Sequence, residues 1–373
     1  MLRELQYDAI RPPVRVLITD ISSYKAIVFS RSLSRKGVEV ISSDSRRYTS
    51  KIRTRHSSRH YLYPSPAREP DAFLQSLREV VRLEKPDLVM PTNSREMRIC
   101  LRQRDVLGTA LRYLGSLDAF EMLDNKSKLE DLAEELGIPC PRHYSIHDQV
   151  ESFPLVFKPA QESSSSGVRY LRGEKELAEI RVTSPAKGSY VLQEYIQGEG
   201  VGLSALCREG SIIAQCAHRR LAEIPIRGGS STIREQFSHP ELLPIAEALV
   251  RRTRWSGLVM FEFKLALDGR VFLIEANPRI WGSISQSIEM GVDFPSLLAF
   301  GTESRVQAEP RPATTYLSPL HWISLAQYVV RRADLRPFRL FLSRWNEAVP
   351  DVSLRDDPLG YLSVVLRAVG PAA

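Results

Sequence analysis

Residues 259–265 and 271–276 alternate apolar and polar side chains on either side of Leu267-Asp268-Gly269-Arg270. Asp-Gly is a preferred two-residue hairpin turn, so the pattern predicts two antiparallel strands joined at 268–269. That turn places Glu262 directly opposite Glu275. Alternation then collects Phe261, Phe263, Leu265, Phe272, Ile274 and Ala276 on a core face. Glu262, Lys264, Glu275 and Asn277 fall on the other face. Two carboxylates facing each other across a ladder, with Cβ atoms about 5 Å apart, repel unless something compensates. A divalent cation would do so, and two carboxylates with an amide are oxygen donors suited to Mg2+ bridged to phosphates. The plainer alternative is that Lys264 neutralises the pair on a solvated face. The run Glu275-Ala276-Asn277-Pro278-Arg279 continues instead into a loop carrying an anion-binding cation.

The N-terminal part follows a different period. Residues 14–20 read as an apolar strand, 24–35 as a helix ended by Gly37, 38–41 as a strand reaching Asp44, 72–84 as a helix and 86–90 as a third strand. Strand, helix and strand alternating at this spacing predict a parallel, doubly wound layer over about the first 115 residues. No GxGxxG follows the first strand, where Asp20-Ile21-Ser22-Ser23-Tyr24 stands, so a dinucleotide fold is disfavoured. Thr19, Asp20, Ser22, Ser23 and Thr92-Asn93-Ser94 fall after strands, at the edge where open α/β sheets bind ligands. Downstream, 126–136 reads as a helix capped by Asp124 or Asn125. Strands follow at 154–159, 168–171 and 190–196, with a helix near 175–180.

Composition narrows the class. The 373 residues, 43% hydrophobic and 25% charged, fit two or three packed domains rather than a disordered chain. No uncharged apolar run reaches the ~18 residues of a membrane span. The charged N-terminus is unlike a secretory signal. Cys100, Cys140, Cys207 and Cys216 form no CxxC pair, which fits free thiols in a reducing compartment, and a cytoplasmic location is expected. The seven His form no HxxxH, so zinc is disfavoured. The net charge of +7 is concentrated at Arg46–Arg59, a stretch with six cations and no acid. Without interleaved aromatics it reads as a solvated loop or a wall facing an anion rather than a nucleic-acid platform.

Three further segments carry chemistry only in combination. Lys158 ends a strand and precedes Ala160–Gly167, a loop of small residues that lets backbone N–H groups approach phosphate; a strand follows it, so it is not a Walker loop. Gln193-Glu194-Tyr195-Ile196-Gln197-Gly198-Glu199 is an apolar strand leaving into a turn. His218-Arg219-Arg220-Leu221, Pro225 and Gly228-Gly229-Ser230-Ser231 read either as a mobile loop whose Arg219, Arg220 or Arg234 clamps an anion, or as an Arg-rich β-edge. Beyond 306, helices are expected at 316–330 and 339–345, with Trp322 and Trp345 as packing anchors, and an apolar docking segment at 361–369. This part reads as a cap or a homodimer element, with membrane-surface attachment the lesser alternative.

Taken in order, Asn125-Lys126, Phe157-Lys158-Pro159 with its loop, Gln193–Glu199, Phe261-Glu262-Phe263 and Glu275-x-Asn277-Pro278-Arg279 resemble the ATP-grasp superfamily, in particular carbamoyl-phosphate-synthase-like carboxylate–amine ligases, over residues 14–305. The resemblance implies an α/β chain, α+β in its ATP-grasp part: a Rossmann-like pre-ATP-grasp domain (1–115), an ATP-grasp domain (116–305, lid about 124–197) and a C-terminal helical cap (306–373). It implies ATP and Mg2+, or Mn2+, as cofactors. Lys126 and Lys158 would contact phosphates under a lid containing Glu162, Ser164 and Ser165. Gln193, Glu194, Tyr195 and Ile196 would line the adenine pocket, and Glu199 would hold the ribose, although Gly200 stands where many relatives carry a second acid. Glu262, Glu275 and Asn277 would bind metal. Arg279, Lys158, Arg219 and Arg220 would act on the reacting groups.

The implied activity joins a small-molecule carboxylate to an amine through an acyl phosphate, releasing ADP and phosphate. Kinase- or carboxylase-type chemistry on the same fold, or a non-catalytic ATP-binding protein, are the alternatives. No Ala-Met-Lys-Met-type biotin-carrier segment is present.

Overall fold

A computed structural model describes residues 14–111, 113–161, 167–183, 186, 188–226, 229–301 and 311–369. The chain opens with β1 (Arg15–Ile18), α1 (Tyr24–Arg35), β2 (Glu39–Asp44), β3 (Arg59–Leu62), α2 (Pro70–Glu84) and β4 (Leu88–Met90). These strands form a wholly parallel sheet in the order β3-β2-β1-β4. Val16, Leu17 and Ile18 are fully buried, as are Ala26, Ile27, Phe29 and Leu33 of α1, so strand and helix close one core. Gly37 ends α1 at φ 78°, the left-handed position a helix terminus favours.

β3 was not anticipated, because its half-exposed edge residues carry no apolar period. It comes from the end of the basic stretch, where three of the six cations have partners within the protein while Arg47, Lys51 and Arg55 are exposed. Arg59 pairs with Glu84 and Glu39, Arg46 with Asp20 and Asp44, and Arg53 donates to the Ser50 carbonyl at 2.7 Å.

The chain continues through α3 (Ser94–Arg102), α4 (Arg104–Leu107), α5 (Leu117–Asp124) and α6 (Lys126–Glu135). Asn93 caps α3 by accepting from the Glu96 amide. Asn125 caps α6 by accepting from the amides of Ser127 and Lys128. A small antiparallel sheet, β6-β5-β7, follows, built from β5 (Leu155–Pro159), β6 (Arg169–Leu171) and β7 (Tyr190–Glu194) and covered by α7 (Glu174–Thr183). It has its own core of Ile146, Leu155, Leu171, Leu177, Ile180 and Leu192, separate from the main one. Glu162, Ser164 and Ser165 lie outside the described residues.

The remainder builds a seven-stranded sheet. Its elements are β8 (Gly198–Arg208), β9 (Ser211–Ile224), β10 (Ser230–Gln236), α8 (Leu242–Thr253), β11 (Gly257–Ala266), β12 (Val271–Asn277), α9 (Ile284–Glu289), α10 (Phe294–Ala299), β13 (Thr314–Tyr316), α11 (Leu320–Arg332), α12 (Arg336–Ser343), β14 (Val349–Pro350) and α13 (Pro358–Val369). The order is β12-β11-β8-β9-β10-β13-β14. The reading of 218–231 as a mobile loop is thereby corrected: His218–Leu221 belong to β9, in the sheet interior, and only 225–229 connect it to β10.

The 306–373 part is also more than a helical cap, since β13 pairs with β10 and β14 with β13. Trp322 and Trp345 are only half anchored: their rings lie 5.8 Å apart and touch Phe341, yet 44% and 45% of their surface is exposed. Among the described residues no helix is long and apolar enough to cross a membrane.

Candidate active site

The hairpin that opened the sequence argument is present, with Glu262 paired to Glu275. Its turn differs. Ala266 and Arg270 bracket a three-residue loop, Gly269 takes φ 87°, and the Gly269 amide donates to the Ala266 carbonyl at 3.0 Å. This is the type I turn with a left-handed glycine that serves three-residue hairpins. A register shift between Glu262 and Phe263 restores the carboxylate pairing. Its consequence is a correction at two positions: Phe272 pairs with Lys264 and lies outside the main core, and Ile274 leaves the core face and lines a cavity, while Val271 and Leu273 are buried in the core.

That cavity, about 680 Å³, lies among the three sheets. On its floor the amide nitrogen of Asn277 stands 3.3 Å from Glu262 Oε1 and 3.2 Å from Glu275 Oε1, so it bridges the two carboxylates. Arg220, from β9, pairs with Glu262. Lys126, the first residue of α6, places Nζ 3.7 Å from Glu275, and its amide donates to the Ala160 carbonyl at 3.0 Å. Lys158, buried at the end of β5, donates from Nζ to the Ile274 carbonyl at 3.3 Å.

The two carboxylates are electrically unequal. Burial and its partner acid push Glu262 up, against Arg220. Burial also acts upward on Glu275, but Lys126 and Lys158 outweigh it and hold that group at about 2. Behind the lysines, burial lifts Glu130 of α6 to about 8, with Lys158 opposing. Lys158 is itself lowered by burial, with Glu130 and Glu275 acting against the shift.

Gln193, Glu194, Tyr195 and Ile196 line the same cavity. The Glu194 side chain accepts from the Arg142 amide at 3.0 Å, and its own amide donates to the Arg142 carbonyl at 2.9 Å. Arg279 links the two ends of the site: it donates to Ser94 Oγ and the Ile280 carbonyl, each at 3.0 Å, and to Asn277 Oδ1.

Arg219 and Glu199 do not line the cavity. Successive strand residues face opposite sides; Arg220 takes the cavity side, and Arg219 pairs with Glu235 and the exposed Glu199. Arg234 is likewise no anion clamp, being fully buried against Asp351. His218 is driven down to about 3 by burial and is neutral.

Several lining residues escaped the sequence reading. On β8 the lining Gly200 leaves room for Arg220, and Gly202, behind the lining, for His218, whose atoms would stand 3.0 and 2.7 Å from an added Cβ. Lys25, Trp281 and Arg367 also face the cavity. None of these sits in a motif with local spacing.

Among the described residues no three His, Cys, Asp or Glu side chains form a ready-made metal cage. The donor set of Glu262, Glu275 and Asn277 nevertheless fits a hard divalent cation shared with phosphates, which takes one or two carboxylates rather than an all-protein shell.

Comparison with known proteins agrees with this architecture. The family described as ATP-grasp in the biosynthetic pathway with Ter operon matches residues 187–322. D-alanine–D-alanine ligase from Fusobacterium nucleatum is 29% identical over 182 residues, 46% of this chain and 62% of that protein. Both are similarities to ATP-grasp proteins, the first over the part of the chain that carries the carboxylate pair. The chain is also 21% identical over 290 residues to the carbamoyl phosphate synthase large chain of Clostridium beijerinckii, across 72% of this chain and 26% of that one. It thus spans less than two thirds of either relative. In fold it is similar to L-amino acid ligase from Bacillus licheniformis (TM-score 0.64, 18% identity, 83% of this chain and 81% of that one).

Proposed function

We propose that this chain is an ATP-grasp enzyme, an ATP-dependent carboxylate–amine ligase. The observation that carries the reading is the opposed pair Glu262–Glu275 with Lys126, Lys158, Arg220 and Arg279 around it in one cavity. A substrate carboxylate oxygen attacks the γ-phosphorus of ATP, the bond to the β–γ bridging oxygen breaks, and ADP leaves. The amine nitrogen then attacks the acyl carbon, the C–O bond to phosphate breaks, and the amine loses a proton as phosphate departs. Such chemistry rests on charge neutralisation and positioning.

Lys126 and Lys158 offset phosphate charge. The backbone at 194–196 holds the base beside Gln193 and Tyr195. Arg279 orients the reacting carboxylate, and Arg220 fixes Glu262. Held by Glu262, Glu275 and Asn277, Mg2+ or Mn2+ would supply charge neutralisation on the phosphates. The loop with Glu162, Ser164 and Ser165 is proposed to exclude water from the acyl phosphate. Arg219 and Glu199, which do not line the cavity, are left out. L-amino acid ligase and D-alanine–D-alanine ligase are the similar proteins whose names indicate this bond type.

The test is coupled ADP release with Mg-ATP and pools of amino acids and small carboxylates, with Glu275→Gln as control. ADP release that requires both a carboxylate and an amine, and is lost in the variant, is expected. Release with a carboxylate alone would point to a kinase. Absence of ATP binding would overturn the reading.

A further inference from the structure

The cavity extends beyond the metal hairpin to the C-terminal edge of the parallel sheet, between β1 and β4, where the strand order reverses and ligands enter open sheets. This end is closed by α13. Arg367 of that helix grips Asp20 in a bidentate pair, Nη1 to Oδ1 and Nη2 to Oδ2 (3.0 Å), and its Nη1 also donates to Ser22 Oγ at 2.9 Å. Asp20 is rigidly presented: it sits at φ 51°, its amide donates to the Tyr63 hydroxyl at 2.9 Å, and its carbonyl accepts from Ser23 Oγ at 2.8 Å. The helix is itself anchored, Tyr48 donating to the Ser363 carbonyl and Thr54 to Asp357.

We propose that the C-terminal helix completes a substrate subsite, and that Arg367 is its selecting cation for an anionic group (carboxylate or phosphate) on the small-molecule substrate. A guanidinium has five N–H donors, and Asp20 and Ser22 take three of those on Arg367. The surrounding charge has the matching sign. Lys25, Arg46, Arg95 and Arg279 line this end with Arg367, against Asp20 and Glu96. Lys25 donates to the carbonyls of Thr92 at 2.6 Å and Ile280 at 3.3 Å, and Arg279 shares the Ile280 carbonyl. Burial and the neighbouring Arg279 hold the Lys25 amine well below its usual range, so the permanent charge at this end is that of the arginines. Trp281 lines the same cavity, fully buried, and its ring packs edge-on against Phe294, so it is a fluorescent reporter for the site.

This rests on the ligase reading for the identity of the cavity, but the test separates the two. Succinate and inorganic phosphate are titrated at constant ionic strength into the full chain and into Arg367→Gln, Arg367→Lys and Trp281→Phe, with tryptophan fluorescence and calorimetry as readouts. The same proteins are assayed for ADP release on carboxylates paired with their amides. Saturable binding of either anion, weakened at least tenfold in Arg367→Gln, partly kept in Arg367→Lys and accompanied by less than a twofold change in ATP affinity, is expected. Where turnover is found, KM for the anionic substrate should rise with KM for ATP unmoved. Preference for succinate identifies a carboxylate, preference for phosphate a phosphoryl group. No saturable binding to the wild type, equal binding by Arg367→Gln, or a parallel loss of ATP affinity and melting temperature showing a docking role alone would each overturn the proposal. Anion binding without ADP release from any pool would refute the ligase reading and leave the subsite supported.

Discussion

Arg234 and Asp351 join β10 to the C-terminal part through an ion pair with no exposed side-chain surface on either partner. The guanidinium also donates to Thr315 Oγ1 at 2.9 Å and to the Ser231 carbonyl at 3.2 Å. Asp351→Asn keeps the shape and removes the charge, so the cation stays buried against a neutral amide. Breaking one side of a buried pair costs about 3–5 kcal/mol, and the residual amide contact puts the expectation near the lower bound. At about 2.1 cal/mol/K per residue, unfolding the 373-residue chain carries roughly 0.8 kcal/mol/K. The melting temperature should then fall by about 4 °C if the chain melts as one unit, and by more if the large sheet melts separately. Replacing both partners, Arg234→Met with Asp351→Leu, removes the uncompensated charge and should return stability to within about 1 kcal/mol of the wild type. Calorimetric melts of the single and double variants read the cycle. A fall under about 1 °C for Asp351→Asn, or a double variant as unstable as the two singles combined, would refute the reasoning.

Three shorter expectations test other parts. Lys158→Met removes a buried cation from the phosphate end and should weaken Mg-ATP binding ten- to hundredfold, as loss of a charge-assisted contact of about 1.5–3 kcal/mol requires; an unchanged Kd by calorimetry would remove Lys158 from the site. His218 sits at about 3 rather than 6.5. A depressed histidine contributes stability that is fully present above pH 6.5 and is lost as the pH falls toward 3. Between pH 8 and 5.5 the wild type should therefore lose about 1.4 kcal/mol more than His218→Gln, and equal losses in denaturant titrations would contradict this. Gly202→Ala puts a methyl 2.7 Å from His218 Cε1 and should destabilise by roughly 1–3 kcal/mol; wild-type stability would mean that the imidazole is free to move.

The parallel layer was legible because β1, β2 and β4 are short apolar runs separated by an amphipathic helix and by turn residues. The Glu262–Glu275 pairing was legible through two departures that cancel, a longer turn and a compensating bulge. The bulge itself left no trace in the residue pattern, so the turning of Ile274 toward the cavity was hidden. β9 was hidden for a different reason: as an interior strand it buries residues on both faces, and the period-2 signal that separates strand from loop disappears. Read as a strand, 218–221 would have put Arg219 and Arg220 on opposite faces at once. Lys25 and Arg367 could not have been found by spacing, since their partners, Ile280 and Asp20, lie 255 and 347 residues away.

How two facing carboxylates are tolerated bears on what the cavity is for. Their compensation comes from elements far apart in the chain: Arg220 from β9, Lys126 from α6, Lys158 from β5 and the Asn277 amide from the end of β12. The isolated hairpin would repel itself, so the pair is sustainable only when the small sheet, the large sheet and α6 are assembled around it. With Arg279 included, four cations stand around the pair, and further carboxyl groups share them: Glu223 lies 3.7 Å from Arg220, Glu130 acts on Lys158, and Asp124 on Arg279 and Lys126. Lys126 and Lys158, the two cations proposed for phosphate, are the ones that hold Glu275 ionised. Glu275 is thus held below the usual carboxylate range as an acceptor for a cation, with the two lysines beside it. An acid pair neutralised by its own hairpin, through Lys264 alone, would leave neither function available.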